Sequence, residues 1–356
     1  MGLRSNPFEN VNPIKGSNLT WAGVPNIKAT VTEIYRESYA QNSRKIVLNW
    51  GPYGGGKTHA AFYFEKNRLP EIPMESQIQF YTTLPKNGTA SIRDLVIHCL
   101  EFLGTKAIHK ILTDSLALNG REKLVEAIHE KVRNETWART ILAFASSMSS
   151  DLLLRYVNDG IPKAKLGQYH LFKLLKSNED FTDFFAAFIV AATLNAPRRV
   201  FLWVDEMEDL IGFPAKDFKA FTQMIRDLTD KVGEKMTIFL NFTLAENEEQ
   251  TLRFLMGDAL WSRINQKIRF EELSVEEGIA YCSDMIKSAQ LEGKKGRQPF
   301  TESAIRLLLE FLPSNKMTPR EINKAMSQLI NYSIERKESI INEKVVIDFK
   351  NANLLL

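Results

Sequence analysis

The sequence predicts an α/β protein: a parallel five-stranded sheet flanked by helices, with a large helical insertion and a small C-terminal helical lid. Three observations lead there. Five short apolar runs are separated by helical text, and runs that are apolar throughout are the mark of strands buried on both faces of a parallel sheet. A glycine-rich segment sits between the first such run and the helix after it. The text between the second and third runs is too long for a single crossover, which needs only a dozen or more residues.

In chain order, residues 1–24 are rich in Asn, Gly and Pro and read as an extended N-terminal arm. A helix over Ile27–Gln41 leads to the first strand, Lys45-Ile-Val-Leu-Asn-Trp50. The second strand, Gln77–Thr83, is closed by Pro85 and Gly88 as turn residues. From Ser91 to about Asn195 the text carries amphipathic runs at Ile92–Leu103, Arg121–Arg133, Trp137–Val157 and Phe181–Leu194. Strand text resumes at Arg199–Val204, Met236–Asn241 and Lys267–Phe270, and the chain is then helical to near Arg336. The expected organisation is an arm over 1–24 and a nucleotide-binding core over 25–272. The core carries a helical insertion at about 91–195, and a helical lid over 273–340 and a tail over 341–356 complete the chain. The insertion reads either as a decoration that binds a partner or as extra core packing.

Composition bounds the function. The 356 residues are 44% hydrophobic and 25% charged with a net charge of +3, ordinary for a globular chain and too balanced for a whole-protein field that seeks polyanions. Cys99 and Cys282 make neither a metal spacing nor a redox pair, which suggests buried thiols in a reducing compartment. The N-terminus has no secretory pattern, and the most apolar stretch, Phe181–Leu194, is broken by Asp183 and too short to span a bilayer. A cytoplasmic protein with no membrane partner is expected.

Gly51-Pro52-Tyr53-Gly54-Gly55-Gly56-Lys57-Thr58 fits G-x-x-x-x-G-K-S/T, and strand text before it and helix text after it place it where a phosphate loop works. Strand, turn and helix N-terminus together aim N–H groups and the helix dipole at a polyphosphate. Lys57 would reach the β- and γ-phosphates and Thr58 would ligate Mg²⁺. His59, next in the chain, is a helix residue beside the loop. Val200-Phe-Leu-Trp-Val-Asp205-Glu206 is an apolar strand ending in two acids, as in a Walker B segment. There Asp205 holds the metal and Glu206 polarises the attacking water, with Glu208 as its rival.

Together these motifs resemble the AAA+ ATPase superfamily over roughly residues 20–340, the insertion excepted. The resemblance implies ATP and Mg²⁺ as ligands and ATP hydrolysis as the activity. Asn241, closing its strand, matches sensor 1. Arg263 in Ala259-Leu-Trp-Ser-Arg263-Ile resembles the arginine finger, with Arg253 and Arg269 as competitors. Arg320 in Thr318-Pro-Arg320-Glu-Ile-Asn resembles sensor 2, and a cation at a helix N-terminus is electrostatically misplaced unless it has such work. A finger acts in trans, so a homo-oligomer, ring or filament, is implied.

The lid text and the Ser-Arg-Ile segment look most like the origin-recognition and initiator branch, which includes transposon target-selection ATPases. The phosphate loop with Val204-Asp-Glu-Met-Glu208 also resembles ATPases of phage-defence systems. That branch implies assembly on DNA, or recruitment of a nuclease or transposase. The text after the last lid helix is too short for the winged-helix domain that origin-binding members add, so sequence-specific origin binding is not expected. A nonspecific DNA contact could fall on the basic Lys287–Arg297 segment. The alternative is a scaffold that binds a protein partner through its helical insertion without DNA.

Overall fold

The computed structural model describes residues 2–17, 19–40, 45–84, 91–212, 214–244, 249–291 and 296–352. The expected turn at Pro85 and Gly88, most of the Gly-Lys-Lys-Gly run and residues 353–356 lie outside them.

Five parallel strands make one sheet: β1 (Lys45–Gly51), β2 (Gln77–Thr83), β3 (Arg199–Asp205), β4 (Met236–Thr243) and β5 (Gln266–Arg269), in the order β2-β3-β4-β1-β5. The side-chain period of two divides β1 to β4 between two cores. In β3, Val200, Leu202 and Val204 join one core, while Phe201 and Trp203 join the other. With both faces covered, most strand residues that pack are apolar, and that is why the strands read as largely apolar runs.

Helices α1 (Pro25–Ala40) and α2 (Lys57–Lys66) cover the aromatic face. There Tyr35 stacks on Phe201, ring centroids 3.9 Å apart, and Trp203 stacks on Phe239 at the same separation. The opposite face is covered by α3 (Ser91–Leu103), α8 (Asn178–Thr193) and α9 (Ala215–Val232). Between α3 and α8 come α4 (Thr105–Asn119), α5 (Arg121–Val132), α6 (Glu135–Ala145) and α7 (Leu152–Val157), packed into the same continuous core. Helix α8 is the hub of that layer. A capping box between Ser177 and Asp180 starts it, and every residue from Asp180 to Thr193 is buried.

Two sequence expectations differ here. Trp137–Val157 is not one helix: it breaks at Ser146-Ser147-Met148-Ser149-Ser150, where the Ser147 hydroxyl accepts the Ser149 N–H and offers the backbone an alternative to the helix. Helix α4, bounded by Gly104 and Gly120, falls between the amphipathic runs read from the sequence and was not expected.

Beyond β4, α10 (Glu249–Trp261) leads to β5. The lid is α11 (Val275–Ala289), α12 (Glu302–Phe311), α13 (Pro319–Glu335) and α14 (Glu343–Asn351), with its own core. Helix α14 stands where a tail was expected. Asn342 caps it, and Val345, Val346 and Phe349 enter the lid core.

The arm is stitched to the lid at one end. Leu3 bridges Gln290, Arg4 binds the carbonyls of Ser288 and Ala289 at the C-terminus of α11, and Phe8 is fully buried in the lid core. Further along, Lys15 donates to the Phe102 carbonyl near the end of α3, and Lys66 donates to that of Gly16. The arm therefore crosses from lid to core. Among the described residues no helix is long and apolar enough to cross a membrane.

Candidate active site

The loop after β1 has the glycines its path demands. Gly51 has φ 149°, and a Cβ there would stand 1.9 Å from the Phe270 carbonyl oxygen. Gly54 has φ 81°, and a Cβ would meet the Arg320 Cβ at 2.6 Å, so the loop can pass under the lid only as glycine. Helix α2 opens at Lys57 with Gly56 in the left-handed region, and the N–H groups of its first turn have no partner within the helix.

Beside the loop is a cavity of about 780 Å³, lined by Tyr53 to His59, by Asp205, Glu206, Glu208 and Thr243 at the strand ends, by Tyr281 and Arg320 from the lid, and by the arm. Gly51 and Pro52 do not line it. Their carbonyl oxygens each accept a hydrogen bond from the Lys57 ammonium at 2.9 Å. Burial lowers the Lys57 ammonium to about 8, and Asp205 and Glu208 oppose the shift.

Asp205 is held by three donors. Its Oδ2 accepts the Thr58 hydroxyl at 2.5 Å and the Tyr81 hydroxyl at 3.0 Å, and its Oδ1 accepts the Glu206 N–H at 3.0 Å. Glu206 is exposed, with φ 56°, a conformation that non-glycine residues rarely adopt; it stands at the rim of the cavity. Glu208 accepts the Thr243 N–H at 2.9 Å and so joins the turn after β3 to the end of β4.

Asn241 is fully buried two residues inside β4, paired in register with Asn49, whose amide donates to its Oδ1 at 2.9 Å. It does not line the cavity. Thr243 does, because β4 runs two residues past the apolar run and Thr243 is the partner of Gly51. The parallel pairing of β4 with the strand that feeds the loop is the signal that could have found it.

Arg320 reaches the cavity from the first turn of α13. Its guanidinium lies 3.9 Å from the centre of the exposed Tyr53 ring and donates to Asn12 of the arm at 2.9 Å. His59 lies under the arm, edge-on to Trp21, and burial lowers its imidazole to about 4 against a bond to the Thr20 backbone. Arg263, Arg253 and Arg269 do not line the cavity. Arg263 caps the Ala259 carbonyl and pairs with Asp230 at 3.8 Å, while Arg253 pairs with Asp258 and Arg269 with Glu271. Sequence reasoning missed Tyr81, Thr243 and Asn12, none of which belongs to a local motif. Among the described residues there is no cluster of three or more His, Cys, Asp or Glu suited to a metal, and Cys99 and Cys282 are both buried.

The sheet, the glycine loop between β1 and α2 and the acids ending β3 define a P-loop α/β fold. No family model matches the sequence, and no curated protein matches it. Among solved structures it is similar to the ORC2 protein of Aeropyrum pernix in its ADPNP–ADP complexes, with a TM-score of 0.52 and 12% identity over 96% of this chain and 70% of that one. The ADP form of the same protein gives a TM-score of 0.52 and 11% identity over the same shares. At this identity the likeness is one of fold.

Proposed function

We propose that the chain binds ATP with Mg²⁺ at this cavity, hydrolyses it, and uses binding and hydrolysis as an assembly switch between copies of itself. The observation that carries this is the convergence of Lys57, Thr58 and Asp205 at one wall of a cavity whose other wall supplies Arg320. The volume suits a nucleotide.

Lys57 is assigned to the β- and γ-phosphates, with the free N–H groups at the start of α2. Thr58 and Asp205 offer two hard oxygens 2.5 Å apart, a donor set that fits Mg²⁺, which prefers few protein oxygens together with phosphate and water. When bound, Mg²⁺ neutralises charge on the phosphate oxygens. Glu206 orients the attacking water and accepts its proton, so that the γ-phosphoryl group leaves as phosphate and ADP remains. Asn241 is assigned sensor 1, with Thr243, two residues on in β4 and lining the cavity, as its rival, and Arg320 reads the γ-phosphate from the lid. Arg263, placed away from its own cavity, acts on the nucleotide of a neighbouring copy, with Arg253 and Arg269 as alternatives.

The switch is proposed to act on DNA, or to recruit a nuclease or transposase, in transposition or phage defence. A second reading has support of its own. A groove of about 950 Å³ between α5 and α6 carries Tyr169 and the exposed Phe172, which favours a protein partner docked on the helical insertion without DNA.

The mass of purified Glu206→Gln protein with ATP and Mg²⁺, with and without duplex DNA, separates the readings. Large assemblies are expected only with both ligands. Assembly with ATP alone, unmoved by DNA, selects the protein-partner reading, and no assembly under any condition rejects the switch.

A further inference from the structure

Asp205 receives a donor that no phosphate-loop or acid-strand motif predicts. Tyr81 stands on β2, beside β3, two residues before the pair Thr83–Asp205. Its hydroxyl donates to Asp205 Oδ2 at 3.0 Å, the same oxygen that accepts Thr58. Its ring has little freedom. It packs on Phe62 of α2 with ring centroids 4.6 Å apart and on Phe102 of α3 at 5.9 Å. Phe102 is in turn pinned by Lys15 of the arm, whose ammonium lies 3.3 Å from the ring centre and donates to the Phe102 carbonyl. A hydroxyl on a ring clamped by two neighbouring helices is a fixed donor, whereas the Thr58 hydroxyl is needed elsewhere once a cation is present.

We infer that Tyr81 is a positioning residue for the metal site: it holds the Asp205 carboxylate in place when Thr58 turns from Asp205 to the cation. The inference rests on the reading of the cavity as an ATP–Mg²⁺ site. It also ties the metal-binding acid to α3, the first helix of the layer that bears the α5–α6 groove.

The test is a Mg²⁺ titration of the binding of a fluorescent, non-hydrolysable ATP analogue to the full chain, with EDTA as the zero point. The proteins are wild type, Lys57→Ala and Tyr81→Phe. Phenylalanine keeps the ring packing and removes only the hydroxyl. The Tyr81→Phe protein is expected to match wild type in EDTA and to need roughly tenfold more Mg²⁺ for half-maximal tightening, the scale of one lost hydrogen bond to a charged group. A titration that coincides with wild type overturns the role. An equal loss with and without Mg²⁺ also overturns it, because the hydroxyl is then only structural. If wild type does not bind, or Lys57→Ala binds as well as wild type, the nucleotide reading fails and not the assignment of Tyr81 within it.

Discussion

His59 illustrates how a residue beside a phosphate loop is set by its cover. Its imidazole lies under the arm against Trp21, and burial lowers it from the ordinary 6.5 to about 4. In the unfolded chain the ring takes a proton at its ordinary value, so between pH 6.5 and pH 4 the unfolded state binds more protons than the folded one. Stability is full above that window and falls as the pH drops through it. The expected loss is about 1–3 kcal/mol, read from urea unfolding at pH 7 and pH 4.5. His59→Gln should flatten that part of the profile; an unchanged slope would place the titration elsewhere. Lys57 carries the opposite practical message. It is lowered to about 8 and therefore remains mostly charged at neutral pH, as the phosphate contact proposed for it requires.

At the scale of elements, the arm is the piece whose importance composition conceals. Its Asn, Gly and Pro content reads as loop, yet Phe8 is fully buried in the lid core and Ala22 joins it there. Phe8→Ala is expected to destabilise the chain by about 3–4 kcal/mol, the usual cost of emptying an aromatic site in a packed core. Urea unfolding measures it, and a loss under 1 kcal/mol would mean that the arm does not pack stably on the lid. Helices α3 to α8 make a related point. They share one hydrophobic core with the sheet, so the layer called an insertion is also the cover of one sheet face. Its outer surface remains free to carry the α5–α6 groove.

For the whole molecule, the cavity is built from parts far apart in the chain: loop, strand ends, lid and arm. Arg263 lies outside it, paired with Asp230 on α9. If Arg263 serves a neighbour, Arg263→Ala should bind ATP and lose turnover. Mixing it with Lys57→Ala should restore part of the activity, because a mixed interface can unite an intact loop with an intact arginine. Phosphate release measured across mixing ratios checks this, and no recovery at any ratio argues against action in trans. Head-to-tail contacts of that kind give either rings or filaments.

Sequence alone determined the parts that depend on neighbours along the chain. The phosphate loop, the Asp205–Glu206 strand end and the five strands are legible because glycine spacing, capping and apolar runs act over a few residues. The α/β fold and the arginine at the start of α13 follow from the same local signals. Tertiary structure alone decided what depends on register and on long-range packing. Asn241 looked like the end of its strand because it is the polar residue that interrupts the apolar run. The parallel pairing with β1 carries the strand on to Thr243 and buries Asn241 against Asn49. Tyr81 meets Asp205 across two strands separated by more than a hundred residues, and Asn12 meets Arg320 across nearly the whole chain. No periodicity marks such contacts in advance, since they exist only once the sheet has closed and the lid has docked.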